Sequence, residues 1–301
     1  MHDFKHLINL ADSLNIKYEK AAKTSCLVSF RTGGTATVVV YPSSVEQLVK
    51  ILECIFKNGY RYFIIGNGTN TYFTDNNYDG IVICTKLINK ITINDNLVYS
   101  ECGALINDCA LVACNKSLSG LEFSYGIPGT VGGCLCMNAS AFDKSMSNVV
   151  LNSVVFDMKS NDVITLSYDK HLFSDKKSAF TNGDYILLKS IFKLTYDDKS
   201  LISSRMIANH KKREASQPLD MPNAGSVFKR PRNGYASRLI DEAGLKGLAI
   251  GGAMVSNKHA GFIVNTGNAT SNDINDLVHI IQKIIYEKYG IKLEKEIIFV
   301  E

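Results

Sequence analysis

Three stretches carry residues whose types and spacing suit chemistry. The first is Gly66-Asn67-Gly68-Thr69-Asn70, directly after the apolar run RYFIIG. Small residues let successive backbone N–H groups close on an anion, so this loop suits a pyrophosphate. No Gly-Lys-Ser/Thr follows, which excludes a P-loop. A strand-like run follows rather than a helix, which excludes the G-x-G-x-x-G dinucleotide turn. A tight turn between strands is the plain alternative. The second is GIPGTVGG (126–133), with four glycines and one proline in eight residues. That much lost chain freedom fits a rigid loop laid against a flat or charged ligand. The third is NAGSVFKRP (223–231). A hydroxyl such as Ser226 acts as a proton donor when held over a reacting carbon. Lys229 and Arg230 carry charge suited to phosphates; otherwise they are a solvated basic pair.

The elements that position these loops follow from periodicity. Thr37 to Tyr41 is strand-like, and Ser44-Val-Glu-Gln47 opens a helix with Val45, Leu48, Val49, Leu52 and Ile55 on one face. Asn58-Gly59 ends it, and 61–66 is a buried strand, so the first lobe is α/β. Residues 80–84 form another strand, 90–94 and 97–102 a hairpin around Asn94-Asp95-Asn96, and 104–116 a helix. Strands of a second sheet are expected at 148–157, 162–167 and 184–195. A polar stretch near 197–203 marks a lobe boundary. Helices are predicted at 1–20, 201–214 and 236–243, with a long one capped by Asn272-Asp273. The end, IKLEKEIIFV, reads as a strand.

Composition narrows the class. The chain has 301 residues, long enough for two or three lobes, with 46% hydrophobic and 21% charged residues. No apolar run spans a bilayer and no signal-peptide core is visible, so a cytoplasmic, membrane-free protein is expected. Eight cysteines lack a C-x-x-C pair and six histidines are scattered, so reduced buried thiols and no metal centre are expected. The net charge of +4 lacks the basic, aromatic stripe of a nucleic-acid binder.

In this order, FRTGG (30–34), GNGTN (66–70), LSGLEFSYGIPGTVGGCLCMNASAF (118–142), REASQP (213–218), NAGSVFKRP (223–231), LIDEAGLKG (239–247) and IGGAMVSNKHAGFIVN (250–265) resemble the UDP-N-acetylenolpyruvoylglucosamine reductases, the MurB family, in its shorter type II form. The resemblance runs from about Phe30 to the C-terminus. It implies an FAD-binding unit of the vanillyl-alcohol-oxidase type, α/β and α+β in two subdomains, plus an α+β domain for the UDP-sugar. The expected boundaries are 1–86, 87–199 with 291–301 returning to it, and 200–290. It implies FAD and NADPH as cofactors, the enolpyruvyl ether of UDP-N-acetylglucosamine as small-molecule substrate, and a monomer. FAD is expected on Gly66, Asn67, Gly68, Thr69, Asn70, Tyr125, Gly126, Ile127, Pro128, Gly129, Gly132, Gly133, Asn138 and Ala139, and the UDP-sugar on Lys229 and Arg230.

The resemblance also assigns catalytic parts. Ser226 is the family's proton donor position, and Glu296 its glutamate, with Glu294 as nearby rival. The family's Tyr-Arg-x-Ser-x-Phe pattern falls on residues 175–180, so Lys176 stands where the arginine is expected. Lysine keeps the charge and loses the planar fork that grips a carboxylate at two points. Ser140, Phe142, Lys144 and Ser145 also depart from the family pattern. Two alternatives stay open beside the reductase: a flavoprotein of this fold with another acceptor, and a weakened or non-catalytic paralogue.

Overall fold

The polar opening of the chain divides where its helical period fails. In a computed structural model that describes residues 4–232 and 234–301, Lys5–Ser13 is a helix burying Leu7 and Ala11. Asn15 then takes φ +52 and turns the chain into a strand, Lys17–Lys23, in place of the helix expected to run to residue 20. The chain forms two compact units. The first is Met1–Lys20, Val38–Asn67 and Asp79–Lys212, and the second is Ala21–Thr37, Gly68–Tyr78 and Arg213–Glu301.

In the first unit, Ser44 caps the helix Val45–Asn58 by accepting from the Gln47 N–H, and Gly59 closes it at φ +61. Leu48, Ile51, Leu52 and Ile55 are buried on its inner face. Each contributes about 1.5–3 kcal/mol of burial. The strand Tyr62–Ile65 pairs in parallel with Asn77–Cys84, ending at the loop 66–70. A five-stranded antiparallel sheet runs in the order Asp162–Ser167, Val150–Asp157, Tyr185–Lys193, Leu97–Glu101 and Ile91–Asn94, close to the strands expected there. The helix Lys199–Ser216 is pinned at its middle, where Arg205 reaches Glu122 at 2.9 Å and Asp197 at 2.5 Å.

In the second unit, four strands pair in the order Asn223–Ser226, Phe262–Asn265, Ala253–Val255 and Ala249–Ile250. The helix Ser271–Tyr289 buries Ile274, Leu277, Val278, Ile281 and Ile285. Its cap is Thr270, with Asp273 completing a capping box, so it starts two residues before the expected cap. The C-terminal strand is Ile298–Val300, and it pairs in parallel with Thr71–Phe73. It therefore does not return to the sheet at 87–199, as the sequence suggested. The reason is aromatic: Phe299 stacks on Tyr72 at 4.9 Å, and Tyr72 is fully buried.

All eight cysteines are free thiols, five of them buried. Burial pushes the Cys102 thiol up to about 12 and Cys109 to about 11, which keeps both unreactive. No helix among the described residues is long and apolar enough to cross a membrane.

Candidate active site

The start of the loop at 66–70 meets the loop at 126–133 within the first unit. A Cβ on Gly66 would lie 2.1 Å from Thr130 Oγ1, so only glycine allows this approach. Asn67 Nδ2 donates to the Pro128 carbonyl at 2.7 Å, tying the loop at 66–70 to the one at 126–133. Thr130 also accepts from the Gly133 N–H at 3.3 Å and caps a one-turn helix, Val131–Cys136. The second half of GIPGTVGG is thus helical rather than loop. Gly126 N–H donates to Asn107 Oδ1 at 3.0 Å, and Gly132 N–H to the Cys102 carbonyl at 2.8 Å. The Tyr125 ring meets His210 edge-on at 5.4 Å. Among the described residues, the N–H groups of Asn67, Gly68, Thr69 and Asn70 donate to no protein acceptor. Four consecutive open donors along one glycine-containing loop make a cradle suited to an anion.

Asn138, at φ +41, links this region to the hairpin bearing Lys176. Its Nδ2 donates to the Ser174 carbonyl at 3.1 Å and its Oδ1 accepts from Ser147 N–H at 3.0 Å. Next to it, the Ala139 N–H donates to the Cys134 carbonyl at 2.8 Å. Ser174 and Lys177 pair across a tight turn whose second central residue, Lys176, is half-buried with φ +55. Ser178 Oγ donates to the Cys136 carbonyl at 2.9 Å, and Phe180 is buried.

His171 lies under this hairpin, a residue the sequence reading passed over. It is fully buried, stacks on Phe173 at 5.1 Å and meets Phe180 edge-on at 5.7 Å. Its carbonyl accepts from Ala179 N–H at 2.7 Å. The Tyr168 carbonyl, 3.2 Å from Nδ1, can only accept. Nδ1 therefore carries the proton and Nε2 accepts from Ser153 Oγ at 2.8 Å. Burial pulls the His171 pKa below its ordinary 6.5. The folded state then binds fewer protons than the unfolded chain below pH 6.5. The stability so gained is present above that pH and is lost as pH falls. Thermal unfolding measured from pH 8 to pH 5 should show Tm dropping on the acid side, and His171→Gln should flatten the drop. An unchanged slope in the variant would remove this role.

Ser226 and Glu296 are held together in the second unit. Ser226 ends the strand Asn223–Ser226, where the pairing with Phe262–Asn265 shifts register and re-aims the chain. Val227 N–H donates to the Gly261 carbonyl at 2.9 Å, and the Val227 carbonyl accepts from Glu296 N–H at 2.8 Å. Asn223 Oδ1 accepts from Gly225 N–H at 2.9 Å, and Ser29 Oγ donates to the Asn223 carbonyl at 2.5 Å. Lys229 pairs with Glu294 at 3.1 Å, which leaves the rival glutamate exposed and occupied. Arg230 lies 4.1 Å over the Tyr235 ring. Lys176 belongs to the first unit, and Ser226 and Glu296 to the second. Asn107, Thr130, Ser29 and Asn223 were legible only as polar residues inside or beside the motifs, and nothing marked them apart.

Residues 217–300 match a family described as UDP-N-acetylenolpyruvoylglucosamine reductase, C-terminal domain, and residues 36–167 match one described as FAD binding domain. A UDP-N-acetylenolpyruvoylglucosamine reductase of Caldicellulosiruptor bescii is 43% identical over 274 residues, 90% of this chain and 87% of that protein. One from Clostridium tetani is 36% identical over 304 residues, 100% of this chain and 98% of that one. The crystal structure of UDP-N-acetylenolpyruvylglucosamine reductase (MurB) from Thermus caldophilus superposes with a TM-score of 0.79 at 28% identity, covering 95% of this chain and 99% of that one. A glucose dehydrogenase, Phl p 4.0202, shares the fold at TM-score 0.52 and 10% identity over 66% of this chain.

Proposed function

The chain belongs to the UDP-N-acetylenolpyruvoylglucosamine reductase family, and on that premise we propose that Ser226, Glu296 and Lys176 carry its reaction. The enzyme is an FAD-dependent oxidoreductase that uses NADPH to reduce the enolpyruvyl group of a UDP-sugar in peptidoglycan precursor synthesis. Bound FAD would supply the redox chemistry, linking NADPH oxidation to reduction of the enolpyruvyl group. The cradle described above fits that cofactor. Its pyrophosphate would take the open N–H groups of Asn67, Gly68, Thr69 and Asn70. Tyr125, Gly126, Ile127, Pro128, Gly129, Gly132, Gly133, Asn138 and Ala139 would line its ring.

The chain's own residues must then supply one proton and stabilise charge. In this reading the Ser226 hydroxyl donates to the carbon beside the one that receives hydride. A serine that gives up a proton needs it restored. Glu296 is the titratable group anchored to the very next residue, through Val227. Lys176 offers its ammonium to the substrate carboxylate as negative charge develops there. Lys229 and Arg230 meet the diphosphate. The enzyme acts as a monomer in the cytoplasm, where both NADPH and nucleotide sugars are made.

The observation carrying this reading is the joint anchoring of Ser226 and Glu296 on Val227. Purified protein should be yellow and should oxidise NADPH rapidly only when the enolpyruvyl UDP-sugar is present. Lys176→Ala should lower kcat/KM by about ten- to hundredfold, the weight of a lost charged hydrogen bond, while Lys176→Arg matches or exceeds the native rate. A colourless folded protein that takes up no FAD, or a Lys176→Ala enzyme at full rate, would refute the corresponding part.

A further inference from the structure

Asn70 is the last residue of the glycine loop, and its side chain is bonded to the C-terminal segment. Nδ2 donates to the carbonyl of Glu296 at 3.2 Å. The Asn70 carbonyl accepts from Ile298 N–H at 2.9 Å. Immediately beyond, Thr71, Tyr72 and Phe73 pair in parallel with Ile298, Phe299 and Val300. The Asn70 amide therefore supplies one further rung to that ladder. It stands in for a backbone donor at the point where the main chain turns off into the loop.

The rung falls on the residue where orientation matters most. Glu296 N–H is held by Val227 at 2.8 Å on one side, and its carbonyl is held by Asn70 on the other. Lys229 N–H to the Glu294 carbonyl, 2.9 Å, fixes the same segment two residues earlier. With both main-chain groups bonded, the peptide planes flanking Glu296 cannot rotate freely, and the direction of its side chain is set. Removing the Asn70 amide frees one plane. The other end of the loop does not depend on it: Gly68 is held separately by Ser29, whose N–H donates to the Gly68 carbonyl at 3.0 Å.

We propose that Asn70 is a positioning residue for Glu296, and that the same five-residue loop serves the cofactor with its backbone and the acid–base group with its last side chain. The proposal rests on the assignment of Glu296 to the reaction. The test uses the FAD-loaded enzyme and follows the two half-reactions separately: bleaching of the yellow colour by NADPH, and its return on adding the enolpyruvyl UDP-sugar. Asn70→Ala should slow the second on the order of ten- to hundredfold, the cost of a small misplacement of a reacting group. The second should fall at least about tenfold further than bleaching, since the glutamate acts only after the flavin is reduced. Asn70→Asp, which keeps the shape but lacks the N–H, should behave like Asn70→Ala. In both, the acid limb of the second half-reaction's pH profile should move, which a mere packing defect would leave in place. In an enzyme already carrying Glu296→Gln, Asn70→Ala should cause no additional loss. An additive loss in that background, or a native rate in Asn70→Asp, overturns the positioning role alone. A Glu296→Gln enzyme with a native second half-reaction overturns the glutamate assignment and the positioning role with it.

Discussion

Replacing Ser226 by alanine should leave bleaching by NADPH at its native rate and slow colour return with the enolpyruvyl UDP-sugar by about 10²- to 10⁴-fold, the range that a positioned proton donor supplies. The backbone geometry argues that the loss will be chemical rather than structural. Residue 226 sits at a register shift, with its neighbour Val227 fixed by Gly261 and Glu296 and its strand fixed through Asn223 and Ser29. None of those bonds uses the serine hydroxyl. Rapid-mixing spectroscopy of the holoenzyme separates the two phases. If both keep their native rates in Ser226→Ala, the proton comes from elsewhere.

Gly68→Ala should be among the most damaging glycine substitutions in the chain. At φ +64, Gly68 has a backbone that L side chains adopt with strain, costing about 1–3 kcal/mol. Its Cβ would also lie 2.1 Å from the Leu27 carbonyl oxygen, a backbone atom with no rotamer to step aside. The loop must shift, and the row of N–H groups shifts with it. We expect a destabilisation on the order of 3 kcal/mol or more and loss of FAD at micromolar concentration. Gly59→Ala is the control: its φ is +61, but nothing lies within 4 Å of the added methyl. That variant should lose about 1 kcal/mol and keep its FAD. Equal denaturant midpoints for the two variants would remove the steric argument.

Much of this molecule was legible in its residues because local chemistry and global fold agree. The helix Val45–Asn58 carries its own start signal in Ser44 and its stop in Gly59, and the hairpin at 91–101 turns where Asp95 takes φ +54. The resemblance assigned Ser226 and Glu296 to one reaction; in the fold, Val227, the residue after Ser226, accepts from Glu296 N–H. Three features were hidden for physical reasons. The strand Thr71–Phe73 is three residues long, too short for period-2 alternation to register, and its partner lies over two hundred residues away. The strand Lys17–Lys23 is lysine-rich and mostly exposed, so its sequence carries no β signal. His171 shows no motif, because its role comes from Ser153, Phe173 and Phe180, which only the folded chain gathers.

The pairing of Ile298–Val300 with Thr71–Phe73 also bears on how the gene can be cut. Homology delimits a C-terminal module at 217–300, but the corresponding physical body recruits Ala21–Thr37 and Gly68–Tyr78 from far upstream. Expressed by itself, the homology-defined piece would end in an orphaned β-edge, with the face of Phe299 stripped of its aromatic cover, a combination that invites self-association. The unit of descent and the unit of folding are not the same length of polypeptide here.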